Sequence, residues 1–387
     1  MTDPKSCLLL SVPEKKSAQA VDIIKPISSY IGENFSEHET EAQDDLETVQ
    51  DLRTHVVSSP QGLENRRDYL IKYFRALCAM ELRFPISKEK EHIHTISFAW
   101  YDAFKTGKKT SQHNIHFEKA AILFNLAAVQ SQQGVAANRG DPDGLKAALK
   151  AFQEAAGSLE LLRDVLGMKV GPGATTDISV ECTNVLINVL LAQAQECVHE
   201  KCLAEDKNPA IVAKVGKQVS IFYENANANV QSSALTSYFD KAWQSHLSLK
   251  ATHFKADAFY RSSLVSKAEE QIGPQIARLR QASALLSGAK RGARGSLNSP
   301  AVQAMNGLEG VVTAALTKAT KDNEVVFMEL VPQPDTLPVL TGHPLVKPIP
   351  PGDILNMTGE DLFARIVPDT GTKALSKYTD MVDCLIR

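Results

Sequence analysis

The run Leu186-Ile-Asn-Val-Leu-Leu-Ala-Gln-Ala-Gln-Glu-Cys-Val-His-Glu-Lys-Cys202, then Glu205-Asp-Lys-Asn-Pro209, then Ala210-Ile-Val-Ala-Lys-Val-Gly-Lys-Gln-Val219, decides the fold. Its first part is rich in helix formers and has no interior Gly or Pro, so it predicts one long helix. Asn208 can cap and Pro209 can open a second helix, since the first turn has no use for the N–H that Pro lacks. The stretch therefore predicts an αα-hairpin with a short connection. Val198 and Cys202 sit one turn apart on the first helix, and Ile211 and Val215 one turn apart on the second, so the two pairs can lie side by side.

Outward from the hairpin, helical patterns recur at Asp143–Leu166, Ile178–Leu203, Pro209–Asn229, Tyr238–Ile272 and Pro274–Ser287, with small residues such as Ala147, Ala151 and Ala155 at packing positions. Stacked helix hairpins of a tetratricopeptide-like array bury a shared core in this way and curve around a concave face. Towards the N-terminus, helices are expected at Ala18–Asn34 (with Pro26 a kink or break), after a Ser36/Glu39 capping box, and at Leu63–Leu82 and Ile115–Ala137. Cys7–Val12 and His92–Trp100 read as strands that could pair in a small sheet. Gly288–Gly295 reads as a basic glycine loop, and Pro300–Phe327 as a further helix. From Pro332 the spacing of Pro predicts an extended arm that packs back along the solenoid, with a short helix near Gly359–Ala364. The fold class is thus mainly α: a curved helical solenoid (core about 143–287), a small β-sheet near one end and a Pro-rich arm (332–368). Residues 1–368 form one domain, followed by a polar tail, 369–387.

The 387 residues carry a net charge of −3, which argues against nucleic acid as a partner. Six scattered cysteines form no Cys-x-x-Cys pair, which points to reduced thiols in the cytoplasm. No nucleophile elbow, paired catalytic carboxylates or nucleotide fingerprint appears, so no enzyme and no cofactor is expected. His92, His94, His113 and His116 cluster in sequence, but no Cys or carboxylate pair completes a metal site at useful spacing. Lys290, Arg291 and Arg294 lack the Gly-Lys-Ser/Thr ending of a phosphate loop and are fewer than a lipid-binding polybasic cluster has. Cys384-Leu-Ile-Arg387 is a poor prenylation box, because it ends in Arg.

Several separated motifs, in order, carry a resemblance. Leu191-Ala-Gln-Ala-Gln-Glu196 with Ala210-Ile-Val-Ala-Lys-Val215, Phe98-Ala-Trp-Tyr-Asp-Ala-Phe104, Phe117-Glu-Lys-Ala-Ala-Ile-Leu-Phe-Asn-Leu-Ala-Ala128, Thr320-Lys-Asp-Asn323 and Pro344-Leu-Val-Lys-Pro348 with Asp361-Leu-Phe-Ala-Arg-Ile-Val-Pro368 resemble the BRO domain of the ALIX and His-domain tyrosine phosphatase family. The resemblance implies a non-catalytic adaptor in the cytoplasm, recruited to endosomes, acting in multivesicular body sorting, membrane scission or cytokinetic abscission. Its implied partner is the C-terminal amphipathic helix of the ESCRT-III filament subunit, with peripheral contact to the endosomal membrane. Ala374-Leu-Ser-Lys-Tyr378 resembles the family's link into a V-shaped domain, so the chain is expected to be a piece of a longer protein. Phe327 stands where ALIX has a kinase-linked tyrosine, and Val198 where the family has an aromatic; Val buries less surface, so a weaker contact is expected there.

By spacing alone, Val198, Cys202, Ile211 and Val215 read as solenoid core. The resemblance instead places them as a partly exposed patch on the concave face, with Lys146, Lys150, Lys201 and Lys214 as a basic rim facing an acidic partner helix. The competing function is a tetratricopeptide-type docking module for another peptide tail.

Overall fold

The computed structural model describes residues 9–17, 20–35, 39–58, 62–292, 300–355 and 362–366. About 70% of the described residues are helical, and among them the sheet has two strands. The chain forms two compact units, each assembled from three separate stretches. One comprises Met1–Val12, Gln130–Gly157 and Glu181–Ile349; the other comprises Pro13–Val129, Ser158–Val180 and Pro350–Arg387. Ser36, Cys7, Arg294, Cys384 and the tail 369–387 lie outside the described residues.

In the second of these units, α1 (Ile24–Asn34), α2 (Glu39–Val57) and α3 (Leu63–Glu81) pack in succession. Helix α1 starts at Ile24, so Pro26 lies in its first turn and neither kinks nor breaks it. The chain then reaches β1 (Phe98–Tyr101), which pairs antiparallel with β2 (Lys109–Gln112), Phe98 facing Gln112. The expected strand over His92–Trp100 is thus reduced to its end. Ile93 and Ile96 are buried without a ladder, apart from one bridge between Ile86 and Ile93. Helix α4 (Ile115–Ala136) brings Glu118 into the core. Glu118 is fully buried and accepts from Arg53 Nε (3.1 Å), the Tyr73 hydroxyl (3.0 Å) and Trp100 Nε1 (2.5 Å). Lys15 and Asp177 form a second buried pair at 2.5 Å. The short helix expected near Gly359–Ala364 is a turn where it is described. Asp45 takes the Phe363 N–H (2.7 Å) and Arg83 binds the Ile366 carbonyl (2.9 Å), so side chains from α2 and just past the end of α3 hold this turn. A helical turn, α12, occurs earlier, at Gly352–Leu355.

The other unit carries the predicted hairpins. It contains the end of α4, most of α5 (Pro142–Leu161), α7 (Val180–Ala204) from Glu181, α8 (Pro209–Val230), α9 (Lys241–Ala268), α10 (Ile272–Gly292) and α11 (Pro300–Asp322); a π-helical turn (Leu162–Leu166) and α6 (Gly167–Val170) follow α5 in the chain. Helices α8 to α11 pack in sequence order, each on the next. Gly134 lets α4 and α5 approach closely, since a Cβ there would meet the Phe152 ring at 2.7 Å. The basic glycine stretch is not a loop throughout, because α10 continues through Gly288, Lys290 and Arg291. The described part of Cys7–Val12, from Leu9, does not join the sheet. In its described part the Leu10 N–H donates to Gln193 Oε1 (2.6 Å), the Gln193 amide donates to the Leu10 carbonyl (3.0 Å), and the Val12 N–H donates to Ser131 Oγ (2.8 Å). Side chains satisfy the backbone that a ladder would otherwise have used.

After a 3-10 turn at Pro334–Thr336 the arm is extended from Leu337 to Pro350, and it returns across the helices. The Pro338 carbonyl accepts from Arg278 of α10, and the His343 N–H donates to the Lys214 carbonyl of α8 (3.1 Å). Gln195 of α7 pairs with His343 and Leu345, and Gln153 of α5 with Lys347 and Ile349. Beneath it, Glu196 of α7 pairs with Lys250 of α9 at 2.6 Å and accepts from the Tyr223 hydroxyl of α8, while His199 meets Asp257 at 2.9 Å.

Two outcomes are expected. Neither unit is a continuous stretch of chain, so calorimetry should show one cooperative transition; two independent transitions would separate the units energetically. On α9, the His253 Nδ1 and His246 Nε2 atoms are shut off from water and lack a partner among the described residues. Burial pushes their pKa values down to about 4 and about 3. The unfolded imidazoles, near 6.5, take up protons that the folded ones refuse. Stability should therefore be full above about pH 6.5 and fall as the pH drops towards 4. The melting temperature should be lower at pH 5 than at pH 7 by roughly a few degrees, and replacing both rings by Gln should flatten that slope.

Candidate functional site: the tip of the α7–α8 hairpin

Helices α7 and α8 are joined by Glu205–Asn208, with Asp206 in the left-handed region at φ 47°. The Lys207 N–H closes the end of α7 on the Cys202 carbonyl (2.9 Å), and Asn208 Oδ1 accepts from the Ala210 N–H (2.8 Å), the cap read from the sequence. Between the helices Cys202, Val212 and Val215 form a small buried cluster, with half-buried Val198 against it.

This changes the expected patch. Val215 is fully buried and Cys202 nearly so, whereas both were expected to be partly open. Ile211 is 48% exposed. The reason is helical phase: Val212 and Val215, three residues apart, face α7, and Ile211 is turned about 100° from Val212. The open apolar surface is therefore Ile211, the edge of Val198 and, at the end of α7, Leu203, with Val215 and Cys202 as its support. Val212 and Leu203 were missed by the sequence reading, because pairs 211/215 and 212/215 fit helical spacing equally well.

All four lysines of the expected rim are exposed. Lys150 reaches Glu154 at 3.5 Å and Lys201 reaches Glu205 at 3.8 Å, whereas Lys146 and Lys214 have no carboxylate partner among the described residues. Isolated exposed pairs of this kind contribute little to stability, so these charges are free to serve a partner. The thiols are poor nucleophiles: burial raises the pKa of both Cys197 and Cys202. The four histidines are separately engaged: His92 with Ser87, His94 with the His92 carbonyl, His113 with the Ile96 carbonyl, and His116 beside Glu81. Among the described residues no cluster of His, Cys, Asp or Glu could hold a metal.

Beside the tip lies a cavity of about 260 Å³. Ala210, Ala213 and Lys214 of α8 form one wall, α9 and α10 the others, and Leu337–Leu340 of the arm borders it on a further side. Arg278 lines it and is 7% exposed.

A family model described as the BRO1-like domain matches residues 9–386. The chain is 43% identical over 387 residues to the vacuolar-sorting protein BRO1 of Arabidopsis thaliana, covering 99% of this chain and 45% of that protein. It is 30% identical over 380 residues to the ALG-2 interacting protein X of Dictyostelium discoideum, covering 98% and 47%. The chain thus spans somewhat under half the length of these relatives. Among solved structures it is similar to an ALIX BRO1–CHMP4C complex, with TM-score 0.82, 28% identity and coverage of 92% of this chain and 99% of that one. It is also similar to ALIX in complex with a viral late-domain peptide, with TM-score 0.86, 27% identity and coverage of 96% and 53%. No helix among the described residues is long and apolar enough to cross a membrane. By the match along nearly its whole length, this chain belongs to the BRO1-like domain family.

Proposed function

We propose that this chain is a non-catalytic adaptor that docks the C-terminal amphipathic helix of an ESCRT-III filament subunit on the tip of the α7–α8 hairpin. In this reading it is a cytoplasmic protein recruited to endosomes, and works in multivesicular body sorting and membrane scission. The observation that carries the reading is Ile211: a large aliphatic side chain, 48% exposed, standing over a buried apolar cluster at a helix start. Exposed aliphatic anchors beside lysines suit an acidic amphipathic helix that presents Leu or Met at i, i+3 and i+4. The similarity to an ALIX BRO1 domain solved with CHMP4C, an ESCRT-III subunit, and to relatives named for vacuolar sorting supports the same partner and the same route.

Burying Ile211 against a partner side chain should contribute about 1.5–3 kcal/mol. Ile211→Asp should weaken binding of the ESCRT-III helix by at least ~2 kcal/mol, read by titration calorimetry, since it also buries an unpaired carboxylate. The fold should hold. Ile211 is the third residue of α8, where a carboxylate is favoured by the exposed N–H groups of the helix start. Lost binding with an unchanged melt supports the reading; unchanged binding sinks it.

Lys146→Glu with Lys150→Glu should slow association and remove most of its salt dependence, with little change in melting temperature. Stopped-flow rates at low salt that match the parent would assign both lysines to the solvated surface.

A further inference from the structure

We propose that the cavity beside Ile211 is a carboxylate-binding subsite, which takes an acidic side chain of the docked helix. This rests on the docking reading above and extends it to a second point of attachment. Arg278 is the centre of the argument. Its guanidinium is held by neutral acceptors, the Pro338 carbonyl and Gln281 Oε1, and by the face of the Phe259 ring 5.6 Å away. Among the described residues no carboxylate pairs with it, and burial alone lowers its pKa. A largely buried cation without a counter-charge is costly. The guanidinium carries five N–H donors, and two contacts leave several free on a cavity wall.

The cavity supplies the rest of a site. Its volume, about 260 Å³, is several times what one water occupies, so a side chain fits. Lys214, on the α8 wall, adds a second cation without a carboxylate partner among the described residues. Ala210, Ala213 and Val265 offer an apolar lining for the methylene stem, and the serines Ser262 and Ser266 offer hydroxyls. Glu269 is the one acidic residue of the lining, against Lys214 and Arg278. The location decides the occupant. Ala210 adjoins Ile211 in sequence, and Lys214 lies one turn further along α8, so a helix seated on Ile211 has the cavity beside it. A carboxylate entering there meets a planar fork in a low-dielectric wall, the setting in which Arg–carboxylate pairs are strongest.

The test uses the whole chain and a fluorescent peptide of the ESCRT-III subunit's C-terminal helix, with affinity read by anisotropy at two salt concentrations. Arg278→Gln removes the cation. Ser266→Phe fills the cavity but keeps Arg278 and its hold on the arm. Each should weaken binding five- to ten-fold and flatten its salt dependence. Peptides with single Glu→Gln changes should identify one position at which Arg278→Gln has no further effect. If both variants bind like the parent while Ile211→Asp does not, the subsite is refuted and the docking reading stands. If Arg278→Gln weakens binding and Ser266→Phe does not, Arg278 only anchors the arm, and the subsite is again refuted. If Ile211→Asp also binds like the parent, the docking reading fails as well. Binding to phosphatidylserine vesicles that falls in Arg278→Gln, with peptide binding unchanged, would make the ligand a lipid headgroup and overturn the proposal.

Discussion

The unit that carries the site depends on one buried charge. Glu196 lies in the middle of α7 with its carboxylate out of reach of water, so it must be matched inside the protein. Lys250 of α9 supplies the counter-charge at 2.6 Å, and the Tyr223 hydroxyl of α8 donates to the other oxygen. Three consecutive helices are thereby fixed at one level. Losing either Lys250 or Glu196 would leave the other buried and unpaired, at a cost of about 3–5 kcal/mol. The His199–Asp257–Arg261 chain repeats the constraint about one turn along α7, using α9 again. On α7, Val198 sits between these ties and Cys202 just beyond them. The small cluster under Ile211 is therefore assembled on helices whose spacing the buried ion pairs have already set.

Much of this was legible in the sequence, for identifiable reasons. Asn208-Pro209 is strong punctuation, and the hairpin followed from it residue by residue. The patch was legible only in outline. Apolar spacing says that one stripe of α8 faces α7, but residues 211, 212 and 215 permit two stripes, and burial chose the one containing Val212. The exposed position, Ile211, is the residue that the core does not use. Arg278 gave no local signal, because its significance depends on what does not surround it.

The motifs that carried the family resemblance turn out to be mostly structural. Trp100 of one and Glu118 of the next meet at 2.5 Å in the core. Asn125 binds both backbone groups of Lys15, and Asn323 both those of Glu329. Trp100, Glu118 and Asn125 are buried and Asn323 is partly so; all have fixed polar partners, and each substitution would orphan a donor or an acceptor. Such residues identify the fold firmly and say little about the partner. Val198, Ile211 and Leu203 make no such bonds through their side chains, so the surface is free to vary while the scaffold is not.

The same hydrogen bonds explain why strands were over-read. Gln193 takes the N–H and the carbonyl of Leu10; Asn125 takes those of Lys15; Asn323 takes those of Glu329; Gln195 takes the His343 carbonyl and the Leu345 N–H. In each case a side-chain amide, with one donor end and one acceptor end, does for non-helical chain what a neighbouring strand does in a sheet. Extended chain needs its backbone groups paired but does not need another strand to pair them. Where helices present amides at the right places, a segment with strand-like composition, such as Leu9–Val12, or a Pro-rich one, such as the arm, can lie across helices without a ladder. Proline suits this arrangement because it removes a donor that would otherwise need a partner. The arm is held through such contacts at Gln153, Gln195 and Arg278, and its carbonyl at Pro338 is what keeps the Arg278 guanidinium at the cavity wall.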